Sequence, residues 1–344
     1  MARDRVNRGI TDAAADDLDD ATEVSLRPKQ LDEFVGHANH RANLRVFIQA
    51  ARKRNDPLDH VILCGPPGLG KTTLANILAH EMGVTLHATS GPAIEHKGVL
   101  AGLLTKLGPR DVLFIDEIHR LNPVVEEHLY PAMEDFRIDI VTGDGPHAAT
   151  LQLPLKPFTL VGATTRTGLI TSPLRTRFGI EVRLDYYPAD DLATIARRSA
   201  KLLGVECDDG AADELGRRSR GTPRLVNRYL ARARDFAQVL HDGRITREVA
   251  DEALGRLGVD DQGLDEMDRK YLRTIADQHD GGPVGIETLA AVLGEPRDTL
   301  EDVYEPYLLQ QGWIQKTPRG RTSTPKVAQH LRIPARKGGQ KPLF

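Results

Sequence analysis

Gly65-Pro66-Pro67-Gly68-Leu69-Gly70-Lys71-Thr72 fits the spacing G-x-x-x-x-G-K-[ST]. Glycines at these positions let the backbone approach a ligand closely, and successive N–H groups can then cradle a polyphosphate. In such a loop Lys71 reaches the β and γ phosphates and Thr72, followed by Thr73, offers a hydroxyl to Mg²⁺. About 45 residues on, Asp116 and Glu117 follow the apolar run Val112-Leu113-Phe114-Ile115. Asp116 is placed to hold Mg²⁺ and Glu117 to polarise a water against the γ phosphate. Few protein carboxylates are needed at such a site because the nucleotide completes the ion's shell. Thr164 and Thr165 end a third apolar run, and either could orient water or sense the γ phosphate. Arg175 and Arg177 lie just beyond; one of them could reach phosphate in a neighbouring subunit. Arg224 opens a helix after Gly221-Thr222-Pro223. A cation is disfavoured at that end of the helix dipole, which makes sense if an anion sits there.

These residues need elements to aim them. Val61-Ile62-Leu63 runs into the glycine loop as a buried strand, and Leu74, Ile77 and Leu78 follow at helical spacing. Strand, loop, helix is the context that gives the motif meaning. The runs ending at Asp116 and at Thr164-Thr165 read as central parallel strands delivering polar groups at their carboxyl ends, the edge where open α/β sheets bind ligands. The fold class expected is therefore α/β, a P-loop core on a parallel sheet. Between the second and third runs, Arg137–Val141 and Ala149–Leu153 alternate on either side of Thr142-Gly143-Asp144-Gly145, a hairpin signal. If it projects with Ile138, Ile140 or Leu151 outward it is a docking surface; otherwise it is a pair of ordinary edge strands. The preamble after Ser25, with Leu26 and Arg27, either walls adenine or only stabilises the core.

At 344 residues the chain is long for one core, so several domains are expected. Residues 1–24 read as a disordered acidic tail, because Asp12, Asp16, Asp17, Asp19, Asp20 and Glu23 have no basic residue among them. Residues 25–187 read as the nucleotide core, carrying the hairpin of 136–153. Tyr186-Tyr187-Pro188 breaks the pattern, and residues 188–256 read as a helical lid. Residues 257–333 read as three helices followed by a strand, a Gly turn and a strand, the pattern of a winged helix. From residue 311 onward there is no Asp or Glu. Lys316, Arg319 and Arg321 are expected to contact DNA phosphates from the wing, and residues 334–344 to form a basic tail. The net charge of −3 does not discriminate among partners, and two cysteines, Cys64 and Cys207, are too few for a disulfide framework. No apolar run approaches a membrane span and the first residues are charged, so a reduced, cytoplasmic setting without a membrane is expected.

The phosphate loop, Phe114–Arg120, Gly162–Arg166, Ser172–Gly179, Arg220–Arg224 and Thr317–Arg321, in this order, resemble the RuvB family of Holliday junction branch migration ATPases, of the AAA+ class. The resemblance runs from about Ser25 to Ile333. It implies an AAA+ core, a small helical lid and a C-terminal winged helix. It implies ATP and Mg²⁺, with Lys71 and Thr72 as the Walker A pair and Asp116 and Glu117 as Walker B. It favours Thr165 as sensor 1, Arg177 as a finger acting in trans and Arg224 as sensor 2. Leu26, Arg27, Tyr187 and Pro223 would lie near the nucleotide. The implied partners are duplex DNA at four-way junctions, further copies in a hexameric ring, a RuvA-like protein docked on the hairpin, and a junction resolvase. Another AAA+ machine, such as a clamp loader subunit, is disfavoured by the hairpin and the single basic wing. A nucleotide-switched regulator that does not translocate is disfavoured by the paired carboxylates and the candidate finger.

Overall fold

In a computed structural model, residues 24–142 and 149–333 are described. The two tails and the hairpin tip at 143–148 lie outside them. The chain divides between Tyr187 and Pro188 into two compact units. Among the described residues no helix is long and apolar enough to cross a membrane.

The first unit is built on a five-stranded sheet. Its strands in chain order are β1 (Val61–Cys64), β2 (Leu86–Ser90), β3 (Val112–Asp116), then β6 (Thr159–Thr164) and β7 (Ile180–Arg183). They lie side by side as β2-β3-β6-β1-β7, and every neighbouring pair is parallel. Every residue of β1 and β6 is buried, because helices cover both faces of a central parallel strand. The edge strand β7 alternates instead, with Ile180 and Val182 in and Glu181 and Arg183 out. A hairpin is inserted after helix Pro123–Glu134: β4 (Arg137–Thr142) pairs antiparallel with β5 (Ala149–Pro154).

The hairpin is rooted in the core. Ile138 is 1% exposed and packs in the cluster that holds Met133, Leu155 and Phe158, with Phe136 and Leu153 against it. Ile138 is therefore not an outward docking residue, which corrects that expectation. It sits at the base of the ribbon, where the two strands leave the core. Leu151 is further out and 51% exposed. Ile140 is paired to it in register, but its side chain lies outside the described residues.

The second unit begins with four helices, Ala189–Leu203, Asp209–Arg218, Pro223–Leu240 and Arg247–Arg256. It continues with helix Glu266–Arg273, which runs into a π-turn at Thr274–Gln278, then helix Ile286–Leu293. A third helical stretch from Arg297 to Gln310 leads into the antiparallel ribbon of β8 (Ile314–Thr317) and β9 (Gly320–Ser323). Val284 bridges to Arg321, adding a third short backbone pairing to the ribbon. Gly320 is required there: its φ is +137°, and a Cβ would collide with the Val284 carbonyl oxygen. These helices and this ribbon are the topology of a winged helix.

Candidate functional site

The parallel sheet aligns the carboxyl ends of three strands. Cys64 of β1 is in register with Thr164 of β6, and Ile115 of β3 with Gly162 of β6. The glycine loop, the Thr164-Thr165 pair and Asp116 thus leave one edge of the sheet. The outer two strands of this trio are two strand spacings apart, about 10 Å, a span a nucleotide's phosphates and an ion can fill.

The loop itself is shaped by backbone conformations that disfavour side chains. Gly65, Gly68 and Gly70 have φ of +146°, +79° and +95°. A Cβ on Gly65 would strike the Leu184 carbonyl oxygen, and one on Gly70 would press 3.2 Å from the Phe34 ring. Helix Lys71–Met82 starts directly after Gly70, with no side-chain cap on its first turn. Its leading N–H groups and the positive end of its dipole therefore face the loop. Lys71 is 8% exposed, and its ammonium donates to the Gly65 and Pro66 carbonyls at 2.8 Å each. The charge is held inside the loop by soft carbonyl acceptors that phosphate oxygens can replace. Pro66, Pro67 and Leu69 complete the turn, with Leu69 buried beneath it. Thr72 and Thr73 follow on the first helical turn, both half-buried.

At the next strand end the Asp116 carboxylate accepts from the Glu117 backbone N–H at 2.9 Å. Glu117 itself sits at φ +47°, a left-handed conformation unusual for a side-chain-bearing residue. Such strain is found where surrounding structure must aim a group. Its carboxylate is paired with Arg120 at 2.9 Å on an exposed rim. Thr164 and Thr165 separate here. Thr164 is fully buried, and its hydroxyl lies 3.0 Å from His119 Nδ1 while accepting from the Arg166 N–H at 3.0 Å. Thr165 is only half-buried, just past the strand end.

Leu26 and Tyr187 are both buried, and Tyr187 lies against the loop. The Tyr187 hydroxyl donates to the Leu69 carbonyl at 3.3 Å, and the ring meets His37 edge-on at 4.8 Å. Arg27 is half-buried in the same preamble. Phe34 and His37 were not among the sequence candidates, yet Phe34 packs on Gly70 and His37 on Tyr187. A glycine flanked by aromatic residues is the only signal the sequence offers for them. Cys64 ends β1 in the core, and burial pushes its thiol pKa up, away from the thiolate form.

Arg175 and Arg177 differ in environment. Arg175 is exposed and pairs with Glu181 at 3.0 Å. Arg177 lies over the Tyr130 ring at 4.2 Å, pairs with Glu134 at 3.1 Å and donates to the Pro173 carbonyl at 2.6 Å. In the second unit Pro223 is the first residue of its helix and Arg224 is exposed on the first turn.

The wing separates its three basic residues. Arg319 is exposed at the turn and makes no ion pair among the described residues. Lys316 is exposed, with its ammonium 3.4 Å from Glu301. Arg321 is 6% exposed: it donates to Glu305 at 2.7 Å and 3.1 Å and to Glu301 at 2.7 Å. Tyr271 donates to the same Glu305 carboxylate at 2.8 Å. Arg321 is thus buried as the counter-ion of Glu305, which is buried, and of Glu301, which is half-buried, and this removes it from the phosphate-contact set. Burial favours the neutral form of Glu301, but Arg297, Arg321 and Lys316 outweigh it and hold its pKa at about 2.

Comparison with known proteins follows the same path along the chain. The model of the Holliday junction DNA helicase RuvB P-loop domain matches residues 26–184. The RuvB AAA lid domain matches 187–260, and the RuvB C-terminal winged helix domain 261–332. The Holliday junction branch migration complex subunit RuvB of Myxococcus xanthus is 60% identical over 310 residues, which cover 90% of each chain. A structure described as the Thermotoga maritima RuvB Holliday junction branch migration motor superposes with a TM-score of 0.84. It is 50% identical and covers 91% of this chain and all of its own. A single-substitution variant of that relative superposes equally well, at 0.84 and 50% identity, covering 90% of this chain and 99% of its own. With a phosphate loop at the head of a parallel sheet and three family-specific domains in one order, the chain belongs to the RuvB family.

Proposed function

We propose that this chain is the ATP-hydrolysing motor of a branch migration complex, driving the exchange of strands at four-way DNA junctions. The observation that carries this is the unbroken succession of RuvB P-loop, lid and winged-helix domains from residue 26 to 332. Lys71 turns from the Gly65 and Pro66 carbonyls to the β and γ phosphates. Thr72 and Asp116 hold Mg²⁺, which when bound neutralises charge on the phosphates. Glu117 polarises the attacking water, and Thr165 orients it, since the Thr164 hydroxyl is already engaged. Leu26, Arg27 and Tyr187 frame the base, and Pro223 and Arg224 bring the lid to the nucleotide. Arg177 stabilises developing charge in the site of a neighbouring subunit, which requires head-to-tail contact between copies; a hexameric ring is the expected form. The ring works on duplex DNA through Lys316 and Arg319, whose contacts to phosphate position without reading sequence. The outer part of the hairpin, with Leu151 and Ile140, docks a RuvA-like junction-binding protein. A junction resolvase is a further partner, and the setting is cytoplasmic.

The test is a synthetic four-way junction incubated with the protein, ATP and a RuvA-type partner. Conversion to two duplexes is expected, dependent on ATP and abolished by Lys71→Ala. An ATPase stimulated by a sliding clamp, with the junction left intact, would overturn the proposal in favour of a clamp-loading machine.

A further inference from the structure

Helix Pro123–Glu134 carries Glu126, Tyr130 and Glu134 at successive spacings of four, so the three side chains form one stripe on its surface. Each touches the segment that bears Arg177. Glu126 is buried, and its Oε1 accepts from the Tyr130 hydroxyl at 2.5 Å and from the Thr171 hydroxyl. Thr171 in turn caps the short helix Ser172–Arg175, accepting from the Leu174 N–H at 3.3 Å. The Tyr130 ring, oriented by that hydrogen bond, lies 4.2 Å beneath the Arg177 guanidinium carbon. Glu134 pairs with the Arg177 Nη2 at 3.1 Å, and the Pro173 carbonyl accepts from Nη1 at 2.6 Å. Arg177 Nε is buried and finds no hydrogen-bond partner among the described residues.

We infer that this stripe is the seat of the arginine finger: Glu126, Tyr130 and Glu134 are positioning residues for the neighbour's hydrolysis site. The inference rests on the assignment of Arg177 as a finger acting in trans. A guanidinium on a long, flexible stem loses rotamer freedom when it meets a phosphate. Stacking on Tyr130 removes that freedom beforehand, so less is lost in the transition state. Glu126 fixes both the ring and the start of the finger helix, which makes the stack and the backbone beneath Arg177 one unit.

A role in the protein's own active site and a role in the neighbour's differ in mixed rings. Tyr130→Leu removes the stack, and its homo-oligomer is expected to lose about tenfold in kcat, the scale of a desolvated cation–π contact. KM for ATP should stay unchanged, because the subunit's own phosphate loop is intact. Tyr130→Phe keeps the ring and should retain most of the activity. Glu134→Gln, on the exposed end of the stripe, is a variant without a folding penalty, expected to lose about threefold, as a partly exposed ion pair would. Tyr130→Leu subunits are then mixed with Lys71→Ala subunits, which lack a working loop but keep the finger and its seat. In rings verified as mixed by native mass spectrometry, ATPase per Tyr130→Leu subunit should rise several-fold towards the normal rate. Arg177→Ala, mixed in the same way, tests the finger assignment alone. If Arg177→Ala is restored and Tyr130→Leu is not, the seat is overturned while the finger stands. If neither is restored, the finger assignment fails and the seat falls with it.

Discussion

At the scale of single residues, Glu117 and the wing arginines make the sharpest expectations. Glu117→Gln removes the proposed base but leaves the loop and Asp116 untouched. ATP binding, measured by a fluorescent analogue, should be retained, with turnover reduced by about a hundredfold or more; unchanged turnover would remove Glu117 from the role of base. The arginines of the wing should behave oppositely to one another. Arg319→Ala should leave melting unchanged and lower the salt slope of duplex binding by about one unit. Arg321→Ala leaves the buried Glu305 carboxylate without its counter-ion and should destabilise the unit by about 3–5 kcal/mol, visible as an early unfolding transition. Lys316 and Arg321 are cross-strand partners on the same face of the ribbon, and that face turns to Glu301 and Glu305. Only the turn residue Arg319 escapes their field.

At the scale of elements, the hairpin divides into a root and an arm. Ile138→Asp places a charge in the core cluster and should cost several kcal/mol of stability, read by chemical denaturation. Leu151→Asp should leave stability within about 0.5 kcal/mol and weaken binding of a RuvA-type partner at least tenfold by titration calorimetry. Unaltered partner binding would move the docking surface elsewhere. The winged helix carries its own acid sensitivity. Glu301 titrates near 2 when folded against an ordinary 4.5. Its contribution is present above pH 4.5 and lost as pH falls from there towards 2. Glu301→Gln should flatten stability against pH in that window; an unchanged acid limb would mean that other carboxylates carry it.

At the scale of the whole molecule, the second unit is stitched across its length by one buried charge. Arg220, at φ +50° in the loop before helix Pro223–Leu240, reaches Asp268 at 2.9 Å and Asp265 at 3.4 Å. Those two aspartates form the capping box of helix Glu266–Arg273. Tyr307 lies under the guanidinium at 4.9 Å. Burial opposes the charge, but Asp268 and Asp265 outweigh it and keep Arg220 protonated. The loop that carries Arg224 is therefore tied to the first helix of the winged helix. Arg220→Ala should cost about 3–5 kcal/mol and split the unit's calorimetric unfolding into two steps. A single unshifted transition would show that the tie does not couple the two parts.

The sequence by itself determined what depends on local spacing. Glycines at fixed intervals, a lysine after them and carboxylates at the end of an apolar run impose their geometry on their own few residues, so the phosphate loop and the parallel strands were legible. The order of such signatures carried the family. The hairpin and the wing were legible too, because alternation about a glycine turn has a period of two. What only the tertiary structure decided is which side of those elements meets the core. Ile138 and Leu151 have the same chemistry and the same face, and their fates differ because the ribbon leaves the core between them. Arg319 and Arg321 are two residues apart, and their fates differ because Glu301 and Glu305 come from a helix some 20 residues earlier. The stripe of Glu126, Tyr130 and Glu134 was not read from the sequence, where Tyr130 counts only as one apolar residue of its helix. Its meaning came from Thr171 and Arg177, brought there by strand β6, which precedes them in the chain. Local conformation follows from neighbours in sequence; burial and charge pairing follow from neighbours in space.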